Sequence, residues 1–308
     1  MMKHIIYIIV ACLAVTTAQA QVITQLAKEA MQIPRGDRPD DDKGINQLEK
    51  YTVNVDTTSA YNALLDSVQQ ATDAQQWSRA EQFIKQMVAL DPTNVNNSLL
   101  LSNLGTVQRM QGKFDDALRS YNMALDMTPN AVAILTNRGV LHIQRGELDA
   151  ADADLQRVVE RDAQNEEALF WLAFIAMNRG QADVATSRLD EILAFNPRSV
   201  QALEGKALLA KATGDYTNAL SLYTQLLETA QDADYYANRA DCALMLRNLS
   251  QASEDIQSAL NINPDDGYLY LLRAKLNKMR FNFDDMDRDI KLAEQHGIDP
   301  EEIQNSLK

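Results

Sequence analysis

Two cysteines and three histidines in 308 residues leave no disulfide framework and almost nothing from which to build a Cys- or His-ligated metal site. Basic residues are also scarce. Twenty-nine Lys and Arg stand against 43 Asp and Glu, a formal net charge of -14, and a field of that sign repels phosphate backbones and anionic lipid. Nucleic acid is therefore excluded as an expected partner. Beyond residue 20 no apolar run approaches the 18 residues of a membrane span, so the mature chain is expected not to span a bilayer. Aromatics make up only 6%. The chain is nonetheless 46% apolar and 23% charged, too apolar and too evenly patterned for a disordered polymer.

Residues 1–20 read as a secretory signal. Lys3 gives the positive start, Ile5 to Val15 the apolar stretch, and Ala18-Gln19-Ala20 the small residues before cleavage. The mature protein is then expected in a periplasm or outside the cell, with a bacterial source. A minor alternative is lipid anchoring through Cys12, since Ile9-Val10-Ala11-Cys12 loosely resembles a lipobox. Cleavage removes Lys3, which takes the net charge to -15, and removes Cys12, which leaves Cys242 as the one thiol. Its place on a helix reads as a small packed residue.

The chain repeats itself. Pro92, Pro129, Pro197 and Pro264 set a period of about 34 residues, the span of a two-helix repeat, and seven units follow: 61–94, 98–131, 132–165, 166–199, 200–232, 233–266 and 267–300. Val95-Asn96-Asn97 is an insertion. Within a unit, position 8 is small (Val68, Gly105, Gly139, Ala173, Ala207, Ala240, Ala274), and so is position 20 (Ala80 through Ala252, then Met286). Position 15 holds Gly112, Gly146, Gly180 and Gly214, then Arg247 and Phe281. Position 17 is bulky in Trp77, Phe114, Leu148, Tyr216, Leu249 and Phe283, and position 24 runs from Ile84 and Tyr121 to Tyr223 and Ile290.

Apolar residues three and four apart predict two amphipathic helices per unit, near positions 1–14 and 17–30, with the glycine between them where the chain reverses. Small residues at 8 and 20 let the backbones approach, and the bulky ones at 17 and 24 are expected to fill the space beside them. Proline near position 32 is expected in the first turn of the next helix. One such hairpin cannot bury its own apolar face, so the units must stack.

Leu101-x-x-Leu104-Gly105, Gly112-x-Phe114, Ala117, Tyr121, Ala124 and Pro129 make the clearest unit. The pattern closely resembles the tetratricopeptide repeat family. That resemblance implies an all-α, right-handed superhelical solenoid of helix-turn-helix units, a protein or peptide ligand, and a concave groove lined by positions 2, 5, 6, 9, 12 and 13 of each first helix.

The flanks carry less. Residues 21–60 read as an extension and linker: a short helix over 21–32, then a polar run through Arg35-Gly36-Asp37 and Asp40, Asp41 and Asp42. That run lacks the ligand spacing of a calcium loop. Thr57 or Thr58 is a plausible N-cap for the first repeat helix. Asp299-Pro300-Glu301-Glu302 looks like the start of a short helix that lids the last unit, so that 301–308 end the chain as a cap.

No catalytic motif is present, and the expectation is a protein that is no enzyme and has neither cofactor nor metal. His142 reads as packed, and His296 as a helix-end residue. The acid pairs Asp115-Asp116, Glu166-Glu167, Asp265-Asp266 and Asp284-Asp285 read as turn and first-turn residues rather than a glycosidase pair.

Among the groove positions that the resemblance gives, three rings within five residues make Phe170, Trp171 and Phe174 stand out as anchors, the other reading being that Trp171 and Phe174 pack against the helices of adjacent units. Met177 lies beside them, Glu167, Glu204 and Asp241 bias the ligand toward positive charge, and Asn137 and Asn238 stand at position 6. The basic partners of a carboxylate clamp are missing from position 5 (Ser102, Thr136, Phe170, Glu204, Ala237). The expected partner is thus a protein or peptide with basic and apolar residues. Two other readings stand beside it: a homo-oligomeric structural subunit of an envelope assembly, and a carbohydrate-binding accessory protein.

Overall fold

The computed structural model describes residues 55–94 and 96–307. The expectations placed on residues 1–54, among them the signal segment, lipidation at Cys12, the helix over 21–32 and the acidic run at Asp40, lie outside the described residues. Within those residues the chain is all-α, fifteen helices and no strand.

Cα packing divides the chain after Asp162 into two compact units. In the first, α1 (Val55–Asp73) pairs with α2 (Trp77–Leu90), α3 (Asn97–Met110) with α4 (Phe114–Met127), and α5 (Val132–Gln144) with α6 (Leu148–Arg161). In the second, the pairs are α7 (Glu166–Asn178) with α8 (Ala182–Phe195), α9 (Val200–Thr213) with α10 (Tyr216–Thr229), α11 (Ala233–Met245) with α12 (Leu249–Ile262), and α13 (Gly267–Met279) with α14 (Phe283–Gln295). A short α15 (Pro300–Ser306) follows. Hairpins stack within each unit: α2 packs on α3, α4 on α5, α10 on α11 and α12 on α13. First helices also meet, α3 with α5, α7 with α9 and α11 with α13.

Small residues sit where the helices cross. Ala80, Ala117, Ala151, Ala185, Ala219 and Ala252 are all fully buried. A Cβ added to Gly105 would lie 2.7 Å from the Tyr121 ring, so the bulk of position 24 occupies the room that position 8 gives up. Position 17 behaves differently from expectation. Phe114 and Phe283 are exposed and Trp77, Leu148, Tyr216 and Leu249 half-buried, because each opens its helix at the edge of the stack, before the chain has reached the core.

The turn inside each hairpin is a Schellman motif. Gly112 N–H bonds the Arg109 carbonyl (3.0 Å) and Lys113 N–H the Gln108 carbonyl (2.9 Å), with Gly112 at φ 72°. Gln75, Arg247 and Phe281 hold the same left-handed place at φ 54°, 58° and 61° without being glycine, a conformation that costs an L-residue about 1–2 kcal/mol. Arg247→Gly should therefore stabilise the protein by ~0.5–1 kcal/mol after glycine's own entropy is subtracted. A urea titration reads this, and a lowered midpoint would show that the arginine side chain is needed elsewhere.

The prolines correct another expectation. Pro92, Pro129, Pro197 and Pro264 each lie two residues past the end of a second helix, not in the first turn of the next. The residues before them, Asp91, Thr128, Asn196 and Asn263, have φ of -143°, -135°, -128° and -131°. A proline excludes its predecessor from the helical region, so the second helix must stop there. At the N-terminus, α1 begins at Val55, ahead of Thr57 and Thr58. No Gly or Pro lies between Gly44 and Ala60 to stop it, and lengthening an existing helix is easy.

At the other end Asp299 caps α15, its carboxylate accepting from Glu301 N–H at 2.8 Å, with Pro300 at N1. Ile303 is buried with Leu271 and Ala293. The acid pairs stand at helix starts, Asp115-Asp116 in α4, Glu166-Glu167 in α7 and Asp284-Asp285 in α14, with Asp266 the N-cap of α13.

One recurring device escaped the sequence reading. Arg138, Arg239 and Arg273 at position 7 each grip a buried acid sixteen residues on, Asp154, Asp255 and Asp289. Arg138 also donates to Asn122 (2.7 Å) and Arg239 to Thr224 (3.2 Å), both on the preceding hairpin. One guanidinium thus ties its own hairpin together and holds the hairpin before it.

The candidate groove on the first helices

The ring cluster lies on α7, whose sequence is apolar nearly all round. Every residue from Ala168 to Ala176 is buried except Trp171. Phe170 and Phe174 retain 6% and 7% of their surface, so Phe170 is a core residue rather than an anchor, and Phe174 follows the packed one of its two expected readings. Both meet Trp171 edge to face, at centroid distances of 5.5 and 5.7 Å. Trp171 is half-buried on this pair, and Met177 is half-buried one turn further on. The amphipathic stripe that normally separates core from groove is missing here, which is why the sequence pattern does not separate buried from exposed rings on this helix.

The acids of the second unit are engaged. Asp241 on α11 receives Lys211 Nζ of α9 at 2.7 Å, lies 3.9 Å from Lys275 Nζ of α13, and is hydrogen-bonded by the Tyr268 hydroxyl. Burial pushes its carboxyl upward, but the two ammonium groups hold it below the ordinary range. Lys211 also donates to Asn238 Oδ1 at 3.0 Å, while Asn238 Nδ2 donates to the Asp234 carbonyl at 2.8 Å. Glu204 on α9 accepts the Tyr235 hydroxyl of α11, and burial raises its pKa. Glu167 is half-buried at the start of α7.

These contacts correct the expected bias toward a basic ligand. Asp241 is neutralised by its lysines, and Glu204 is tied to a phenol. The floor below is closed. Cys242 is fully buried and its thiol pushed up to about 11 by desolvation, as suits a packed residue. The Tyr223 hydroxyl is buried without a partner, because position 9 of its hairpin is Leu208, where Thr106 in the second hairpin meets the Tyr121 hydroxyl at 2.9 Å. Tyr235 and the lysine pairing of Asp241 were invisible in sequence, since both link helices some thirty residues apart.

Asn137 belongs to the first unit. Its Nδ2 donates to Ser102 Oγ at 3.4 Å. His142 Nδ1 lies 2.6 Å from Glu147, and His296 stacks on Tyr270 with centroids 5.1 Å apart. Among the described residues no group of three or more His, Cys, Asp or Glu is placed to hold a metal ion, and no helix is long and apolar enough to cross a membrane.

Comparison with known proteins agrees with this architecture. Tetratricopeptide repeat family models match residues 103–166 and 204–267, and a second such model matches 142–211, so that together they extend over 103–267, more than half of the chain. A solved tetratricopeptide repeat protein from Parabacteroides merdae is 30% identical, covering 81% of this chain and 98% of its own, with a TM-score of 0.61. The DnaJ homolog subfamily C member 7 homolog of Dictyostelium discoideum is 35% identical over 99 residues, which are 32% of this chain and only 18% of that protein. The ancillary SecYEG translocon subunit of Haemophilus influenzae is 28% identical over 155 residues, 50% of this chain and 75% of that one. The repeated hairpins, their left-handed turns and these matches agree, and the chain belongs to the tetratricopeptide repeat family.

Proposed function

We propose that this protein is an exported bacterial scaffold that performs no chemistry and seats a segment of another protein on the first helices α7, α9, α11 and α13 of its second unit. The observation that carries the reading is Trp171, an indole held edge to face by two buried phenylalanines and left partly open within the buried run from Ala168 to Ala176. A rigid aromatic with low entropy to lose is the kind of residue that dominates protein–protein contacts. With Asp241 and Glu204 engaged, the segment it suits is led by an apolar side chain over Trp171 and Met177, and its polar groups face Asn238 and the Lys211–Asp241 pair.

Export rests on the signal read in residues 1–20. The solved Parabacteroides protein supports a bacterial source, and the relative named as an ancillary translocon subunit supports a role in an assembly.

A photo-crosslinking residue placed at Lys211 in the native host identifies the partner. Trp171→Ala should then weaken capture by at least tenfold, about 1.4 kcal/mol, with only a modest drop in the melting midpoint from the lost edge-to-face contacts. A crosslink to the same chain would indicate a self-assembling subunit. A large fall in melting temperature would return Trp171 to the core.

A further inference from the structure

Arg138 and Arg239 each reach the hairpin before them through Nη1, to Asn122 at 2.7 Å and Thr224 at 3.2 Å, two residues that share position 25. Arg273 of the last hairpin does not. Its Nε and Nη2 both bond Asp289 Oδ1, at 2.9 and 2.6 Å. Position 25 ahead of it is Gln257, whose Nε2 turns along its own helix to Asn261 Oδ1 at 2.9 Å. At this seam lies a cleft of about 790 Å³ lined by α12, α13 and α14, a volume in the range of small-molecule sites. The residues that α13 gives it, Arg273, Leu276, Asn277 and Arg280, stand at positions 7, 10, 11 and 14, none of which is a groove position.

Three arginines and three acids line the cleft, so its formal charge is zero. Most of them answer one another. Arg273 holds Asp289, whose Oδ2 also accepts from Asn277 at 2.9 Å, and Arg288 holds Asp285. Arg280 and Glu254 are left over. Arg280 donates to the Leu249 carbonyl at 3.0 Å and to Ser253 Oγ at 3.4 Å, and meets no carboxylate among the described residues. The Glu254 carboxylate has no partner among them either. The apolar part of the lining is Ile256 and Leu276, both buried, and Leu292, half-buried.

This lining discriminates by charge. A simple anion that answers Arg280 is repelled by Glu254, and a simple cation meets the reverse. A molecule that carries both charges side by side answers both, through charge-assisted hydrogen bonds at each end. We propose that the cleft is a binding site for a free α-amino acid with an apolar side chain, its carboxylate on Arg280, its ammonium on Glu254 and its side chain against Leu276 and Leu292. Arg273 Nη1, without a partner among the described residues and not sealed from solvent, is a further donor to that carboxylate. The site does not rest on the Trp171 reading, which concerns the groove positions of the first helices.

The test is ligand-observed saturation-transfer NMR on the full-length mature protein, with leucine as the probe. Leucine should bind with a Kd of about 1 mM or tighter. N-acetyl-leucine, which lacks the ammonium, and leucine amide, which lacks the carboxylate, should each bind at least tenfold more weakly. Glu254→Gln and Arg280→Gln should each weaken leucine by at least tenfold. Glu254 is exposed and unpaired, so its variant should keep the melting midpoint, and it decides the matter if loss of the Leu249 contact disturbs Arg280→Gln.

No transfer to leucine up to roughly 10 mM would overturn the proposal. Binding of N-acetyl-leucine or of the amide as tight as that of leucine would do the same, since one charge would then suffice. An unchanged Kd for leucine in a folded Glu254→Gln variant would place the amino acid elsewhere and equally end the assignment.

Discussion

Asp255→Ala is expected to cost about 3–5 kcal/mol of unfolding free energy, the loss typical of breaking a buried ion pair from one side. Asp255 keeps 1% of its surface and accepts Arg239 through Nε at 2.9 Å and Nη2 at 2.6 Å, with Gln251 adding a third bond at 3.0 Å. Removing the carboxylate strands a guanidinium that is itself largely buried and that also reaches Thr224 on the preceding hairpin. The second unit should therefore lose cooperativity as well as stability. Urea titrations followed by helical signal test this, and the double change Arg239→Met with Asp255→Leu should recover most of the loss, because an apolar pair needs no counter-charge. A loss below about 1 kcal/mol for the single change would place the pair among ordinary surface ion pairs.

Gly267→Ala should cost about 1–3 kcal/mol, the range for overpacking a filled site. A methyl there would stand 2.9 Å from the His296 carbonyl oxygen, 2.9 Å from Ile298 Cγ1 and 3.1 Å from the Ala293 carbonyl oxygen. Two of those atoms are backbone at the end of α14, so relief requires α13 and α14 to part. Gly205→Ala is the control. The three atoms nearest its methyl all belong to the Leu189 side chain, the closest at 3.0 Å, and none of them is backbone. The expected order is a clear loss for Gly267→Ala and a small one for Gly205→Ala, read as the difference in thermal midpoint. Equal losses would mean that the two sites yield alike.

The helical hairpins were legible in sequence because backbone proximity can be met only by small residues at fixed intervals, and Ala80, Gly105, Ala117 and Ala252 announce those intervals without any knowledge of neighbours. The groove was less legible. Whether Phe170 and Phe174 face solvent depends on how α7 is covered, and a helix that is apolar on every side gives no periodic hint. The counter-ions of Asp241 are thirty residues away on other helices, so its charge could be counted but not its neutralisation. The Arg–Asp ties at sixteen-residue spacing were visible in principle, as a basic residue at position 7 answered by an acid at position 23 in three units. The bulky residues at position 17 misled for a simpler reason: recurrence marks a shared place in the repeat, which need not be a shared degree of burial.

The short final helix has a consequence for how copies of the chain can join. Ile303 fills the apolar hollow over Leu271 and Ala293 that another hairpin would need in order to continue the array. A second copy could seat a hairpin on Leu271 and Ala293 only by first peeling α15 away, so self-association through that face would carry an energy barrier.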